Sequence, residues 1–197
     1  MRPVALLVSM LPILGFAFVV AAADVAQSDA PVTVELRPHT AEASKEYPLT
    51  LSFTGKIYPP GWTIADENDQ RLQAPSDRFV AHAVSVNRNG SAEDLLSLWQ
   101  PSERSGIASM VSDNALFSKN QAVYKQIKET EFLTRMRYGQ YVVFLVQHSG
   151  PAVAKFVKTY VIKEVAGKYF LTNDLKDDLA VQFLVRGYGQ GLLHERQ

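Results

Sequence analysis

The chain has 197 residues, 47% apolar and 20% charged, with 20 basic and 20 acidic side chains and no cysteine. Such a composition suits a packed domain and excludes disorder over most of the length. A net charge of zero excludes a global attraction to nucleic acid or to an anionic membrane surface. Without cysteine there is no disulfide and no lipid-bearing cysteine. Stability must come from the core, and bacterial export is favoured over eukaryotic secretion.

Residues 1–23 stand apart. Arg2 is the only charge before Asp24, Val4 to Val20 is almost wholly apolar, and Ala21-Ala22-Ala23 puts small residues at a cleavage point. This is the pattern of a secretory signal peptide and predicts a periplasmic or secreted protein that is not a lipoprotein. The alternative is an uncleaved anchor, because about 20 apolar residues can just cross a bilayer. Pro3, Pro12 and the alanine triplet favour cleavage. No later segment is apolar enough to span a membrane.

Residues 24–30 are small and polar and predict a flexible mature N-terminus. Residues 31–75 predict a β-rich extension. Val32, Val34 and Leu36 alternate with polar residues, as do Leu49, Leu51 and Phe53, and each run has the period of a half-buried strand. Pro59-Pro60-Gly61 ends the second. Asp66, Glu67, Asn68 and Asp69 follow, but their spacing fails a calcium loop. Arg71 stands where glycine is needed, and no glutamate closes the loop.

Residues 76–184 read as an α+β domain. Pro75-Ser76-Asp77 starts a helix with Phe79, Val80, Ala83, Val84 and Asn87 on one face, stopped at Asn89-Gly90. Ser91 caps a short helix with an acidic first turn that carries Leu95, Leu96, Leu98 and Trp99 to Pro101. Residues 102–127 read as broken helix. Four strands then form an antiparallel meander, about 130–137, 140–148, 153–165 and 168–173, joined by short glycine-containing turns. Residues 185–197 are glycine-rich and predict a loose tail.

The second and third meander strands are apolar on both faces, whereas a sheet with one wet side alternates cleanly. Both faces therefore need a cover. The helices of 76–127 supply one. The N-terminal strands, the tail or a second copy must supply the other, and homodimerisation through a sheet face is one expectation.

Three features together resemble the nuclear transport factor 2-like superfamily, a cystatin-like α+β cone. They are the capped helix SAEDLLSLW, the hairpin RYGQYVVFLV and the last strand AGKYFLTNDL. The resemblance covers roughly residues 76–184 and implies a curved antiparallel meander packed on the preceding helices, with a cavity open at one end. The extension of 31–75 lies outside the pattern and either adds to the sheet or forms a small subdomain. Some members are enzymes and many are binding or assembly modules, so the fold does not choose between them. The isomerase branch uses an aspartate base. No aspartate occurs in 130–167, so no catalytic residue is carried over.

No histidine pair has metal-ligand spacing and no hydrolase elbow occurs, so neither a metal nor a cofactor is expected. His148, at the end of the second meander strand, is the leading ligand-binding candidate, against the plainer reading of a hydrated rim histidine. Tyr160 and Lys158 share a face of the third strand. Trp99 can close a pocket wall. Arg135 marks either a solvated rim or an acidic-ligand patch. Together these predict an exported, non-catalytic binding or accessory protein of the bacterial envelope. Its partner would be a small molecule, a polymer or an envelope protein. The alternative is an isomerase- or cyclase-type enzyme using the same cavity.

Overall fold

The computed structural model describes residues 30–36, 49–189 and 193–195. The signal peptide and most of the flexible N-terminus expected from the sequence lie outside them. Among the described residues eight strands form one open antiparallel sheet, and helices pack on it, so the domain is α+β. The strands are β1 (Ala30–Leu36), β2 (Leu49–Ile57), β3 (Thr63–Ile64), β4 (Glu129–Tyr138), β5 (Tyr141–Gly150), β6 (Val153–Val165), β7 (Lys168–Leu171) and β8 (Leu193–Glu195). The helices are α1 (Pro75–Asn89), α2 (Ala92–Ser97), α3 (Arg104–Val111), α4 (Asn114–Gln126) and α5 (Leu179–Gly189), with a 3-10 turn at Pro101–Glu103. Among the described residues no helix is long and apolar enough to cross a membrane.

The strand order is β7-β6-β5-β4-β2-β1-β8, with β3 paired to β4 beyond the end of β2. The meander β4 to β7 is therefore consecutive in space, and β1 and β2 extend the same sheet instead of forming a separate subdomain. Tight turns explain the meander. Gly139 takes φ +59° between β4 and β5, and Ala166-Gly167 takes φ 51° and 76° between β6 and β7. Two successive residues in the left-handed region match the twist of a two-residue hairpin.

Pro75 occupies the first turn of α1, where its missing N–H costs nothing. Ser91 and Asp94 close a reciprocal capping box at the start of α2. The buried stripe of α1, including Val80, Ala83 and Val84, packs on Phe132, Phe144, Val146 and Ile162 of the sheet. Edge-on ring contacts knit this layer, with Tyr58 5.5 Å from Phe132 and Phe132 5.7 Å from Phe144. At its margin Trp62 lies between Lys56 and Arg71, their cationic groups 5.3 and 5.1 Å from its ring centre.

The opposite face carries Met136, Val143 and Leu145, covered by Leu175 and by Val181 and Leu184 of α5. The tail, one of the covers expected for the second apolar face, thus packs on part of it. The expected loose tail is also corrected. Helix α5 continues to Gly189, and Leu193–Glu195 pairs with Val34–Leu36. The apolar run after Leu179 has a sheet face to bury, and the outer edge of β1 has a ladder to complete.

Candidate functional site

A cleft of about 740 Å³ opens beside β6. One wall is Trp99 with Ile107, Met110, Leu116 and Asn120 of α3 and α4, and the other is Leu175 with Val181 and Val185 of α5. Between them, Lys158, Thr159, Tyr160 and Val161 of β6 form the floor. Among the described residues, the charged side chains lining the cleft are Lys158 and Lys176. Asn87, Asn120 and Gln182 are neutral polar groups in a mostly apolar wall.

The floor exists because β7 ends early. Its register on β6 runs only from Val165↔Lys168 to Ile162↔Leu171. Thr172 N–H still reaches the Val161 carbonyl at 3.0 Å, and the chain then turns away. Glu103 holds it there, accepting from the Thr172 hydroxyl and, at 2.9 Å, from the Asn173 N–H. The outer edge of β7 is closed by the chain after α2, where Leu171 N–H donates to Leu98 O at 2.7 Å and Gln100 N–H to Leu171 O at 3.0 Å. This is what sets Trp99, half-buried, at the mouth of the cleft.

A row of hydrogen-bonding groups leads inward from the floor. Lys158 Nζ donates to the Tyr124 hydroxyl, and its ammonium lies 5.0 and 4.9 Å from the ring centres of Tyr124 and Tyr160. The Tyr160 hydroxyl is 3.3 Å from His148 Nε2, and His148 Nδ1 is 3.2 Å from Thr130 Oγ1. His148 is 0% exposed, so the hydrated-rim reading is overturned. The end of β5 is roofed by α4, whose Tyr124 ring stacks edge-on over the imidazole at 6.0 Å, with Phe156 at 5.3 Å. The roof comes very close at Gly150, where an added Cβ would lie 2.2 Å from the Gln126 carbonyl.

Burial pushes the His148 pKa down to about 4, and the positive charges of Lys158 and Arg88 add to the shift. Burial also raises the Tyr160 phenol well above its ordinary value, with Tyr124 contributing. Both are neutral at pH 7. A neutral imidazole has one donor and one acceptor nitrogen, so of its two hydroxyl neighbours one donates and the other accepts.

Of the residues singled out from the sequence, Tyr160, Lys158 and Trp99 meet in the cleft, and His148 lies directly behind Tyr160 without lining it. Arg135 belongs elsewhere. It is 4% exposed, and its Nη1 donates to Asp77 Oδ1 at 2.7 Å. The solvated-rim and ligand-patch readings both give way to an internal ion pair. An extra residue at Leu133, between the pairs Phe132↔Val146 and Thr134↔Leu145, turns Arg135 to the helix-covered face. Sequence reasoning missed Asp77, Tyr124 and Lys176. For Asp77 a signal was present, because it falls on the apolar stripe of α1 with Val80 and Val84, and a charge there requires a partner.

Among the described residues no group of three or more acidic or histidine side chains is placed to hold a metal ion. No family model, curated protein or solved structure matches the chain.

Proposed function

We propose that this is an exported, non-catalytic binding protein with a cone-like domain of the nuclear transport factor 2 type, whose cleft takes a ligand with an apolar body and an anionic group. The carrying observation is the cleft itself: about 740 Å³, largely apolar, with two lysines as the charged lining residues among those described. That volume falls in the range of ligand pockets, and a few placed polar groups in an apolar wall are their usual lining. Lys158 is the anion-binding group. Its ammonium is held between two tyrosine rings and is half-withdrawn from water, where an ionic contact gains strength. Acid–base catalysis on the isomerase pattern needs a carboxylate at the substrate, and among the described residues none lines the cleft. His148 is sealed behind Tyr160 and has lost basicity.

Dodecanoate serves as a probe. Isothermal titration should show one saturable site, and Lys158→Ala should weaken it at least tenfold while Lys155→Ala, outside the cleft, leaves it unchanged. Equal affinity in the two variants, or no binding by the intact protein, would remove the reading.

A further inference from the structure

The floor of the cleft is a strand edge. Residues Val153 to Tyr160 of β6 pair with β5 on one side and, among the described residues, with no strand on the other. Which backbone groups face the open side follows from one hydrogen bond. Val161 accepts from Thr172 on the β7 side, and direction alternates along the regular part of the strand from Phe156 onward, so Thr159 and Val157 also turn their N–H and C=O groups outward. Side chains alternate as well. An added strand would send alternate residues toward the α3–α4 wall and toward the α5 wall, and both walls are apolar.

Exposed large apolar residues gather on the same side. Met110 and Leu116 line the cleft. Val123 falls on the same α4 face as Leu116 and Asn120, and Phe156 stands on β6 itself. The Thr159 hydroxyl oxygen is buried with no hydrogen-bond partner. Charge selects the occupant. Residues 153–161 contain Lys155 and Lys158 and no carboxylate, and Lys176 lies across the cleft. Its Nζ lies 4.0 Å from Asp177 Oδ2, both side chains exposed. Pairing two such edges would bring four lysines to one seam with nothing to neutralise them, which disfavours a second copy.

We propose that the cleft binds an extended, acidic segment of another polypeptide by strand addition to β6, its backbone pairing with Val157 and Thr159 and a carboxylate meeting Lys158. This rests on the reading of the cleft as an anion-accepting apolar site and names the class of ligand. Main-chain pairing supplies affinity, and the two apolar walls read alternate side chains.

The probe is a fluorescein-labelled peptide that alternates valine with glutamate and threonine, titrated by anisotropy beside dodecanoate. Thr159→Pro removes an outward N–H and places a ring on the open edge without touching the ladder to β5, and edge strands tolerate such a proline. The intact protein should bind the peptide saturably. Thr159→Pro should bind it at least tenfold more weakly, Thr159→Val should retain binding, and Lys158→Glu should lose it. Peptide should also slow amide exchange at Val157 and Thr159 in the unmodified protein, a readout independent of how the proline variant folds. Dodecanoate binding without peptide binding, or unaltered peptide binding by a folded Thr159→Pro, overturns strand addition and leaves the cleft reading standing. A dimer that Thr159→Pro converts to monomer overturns it in favour of a second copy. Failure of both probes removes the cleft reading and strand addition together.

Discussion

The helix-covered face of the sheet buries two polar assemblies of opposite kinds. Asp77 and Arg135 are full charges, each 4% exposed and joined at 2.7 Å. Thr130, His148 and Tyr160 are neutral groups in a row, and the row ends at Lys158 on the floor of the cleft. A buried ion pair recovers its desolvation cost only while both partners remain, so the first assembly tolerates no vacancy. The second avoids that cost by staying uncharged and can therefore extend to a wet surface. One holds α1 on β4. The other places a structured polar group beneath a ligand site.

The sharpest way to break the contrast is to unpair the charges. Asp77→Ala leaves a buried guanidinium without its carboxylate and should cost about 3–5 kcal/mol in denaturant unfolding. Asp77→Leu combined with Arg135→Met should recover most of that loss. If the single and double variants are equally unstable, Arg135 is held by something other than the charge pair.

Next in size is acid. The folded His148 pKa is about 4 and the unfolded value is 6.5. Between those values the unfolded chain binds more protons, so stability is complete above about pH 6.5 and falls as the pH drops toward 4. The difference corresponds to about 3 kcal/mol. His148→Gln, which does not titrate, should flatten the curve over this window, and an unchanged slope would assign the acid sensitivity to other groups.

Opening the cleft end of the row should cost far less. Lys158→Ala should move the thermal midpoint only slightly while reducing dodecanoate affinity at least tenfold, about 1.4 kcal/mol. The smallest effect belongs to neither assembly. Ser91→Ala removes the capping box of α2 and should cost about 1 kcal/mol with ligand affinity untouched. Any loss of binding in that variant would show that the α2–Trp99 corner shapes the site as well as framing it.

Local rules made much of this fold readable. The span of β6, the start and stop of α1, the capped α2 and the two apolar faces of the meander all follow from periodicity and turn chemistry within a dozen residues. The misreadings concern what lies across the chain. Arg135 looks like a rim residue until the extra residue at Leu133 changes its side, and neither 133 nor its neighbours departs from a strand pattern. His148 looks exposed because strand ends commonly are, and its roof comes from α4, more than twenty residues earlier. The cleft depends on β7 stopping at Leu171, and that depends on Glu103 reaching Thr172 and Asn173 from 69 and 70 residues away. No window of sequence contains both ends of such a contact.

The chain has two tryptophans, and their surroundings make them independent optical reporters. Trp62 lies between two cations at the far margin of the core, while Trp99 stands in the cleft wall. Trp62→Phe leaves an emission spectrum governed by Trp99 alone. Its wavelength should move when the cleft fills, so occupancy can be followed without attaching a dye.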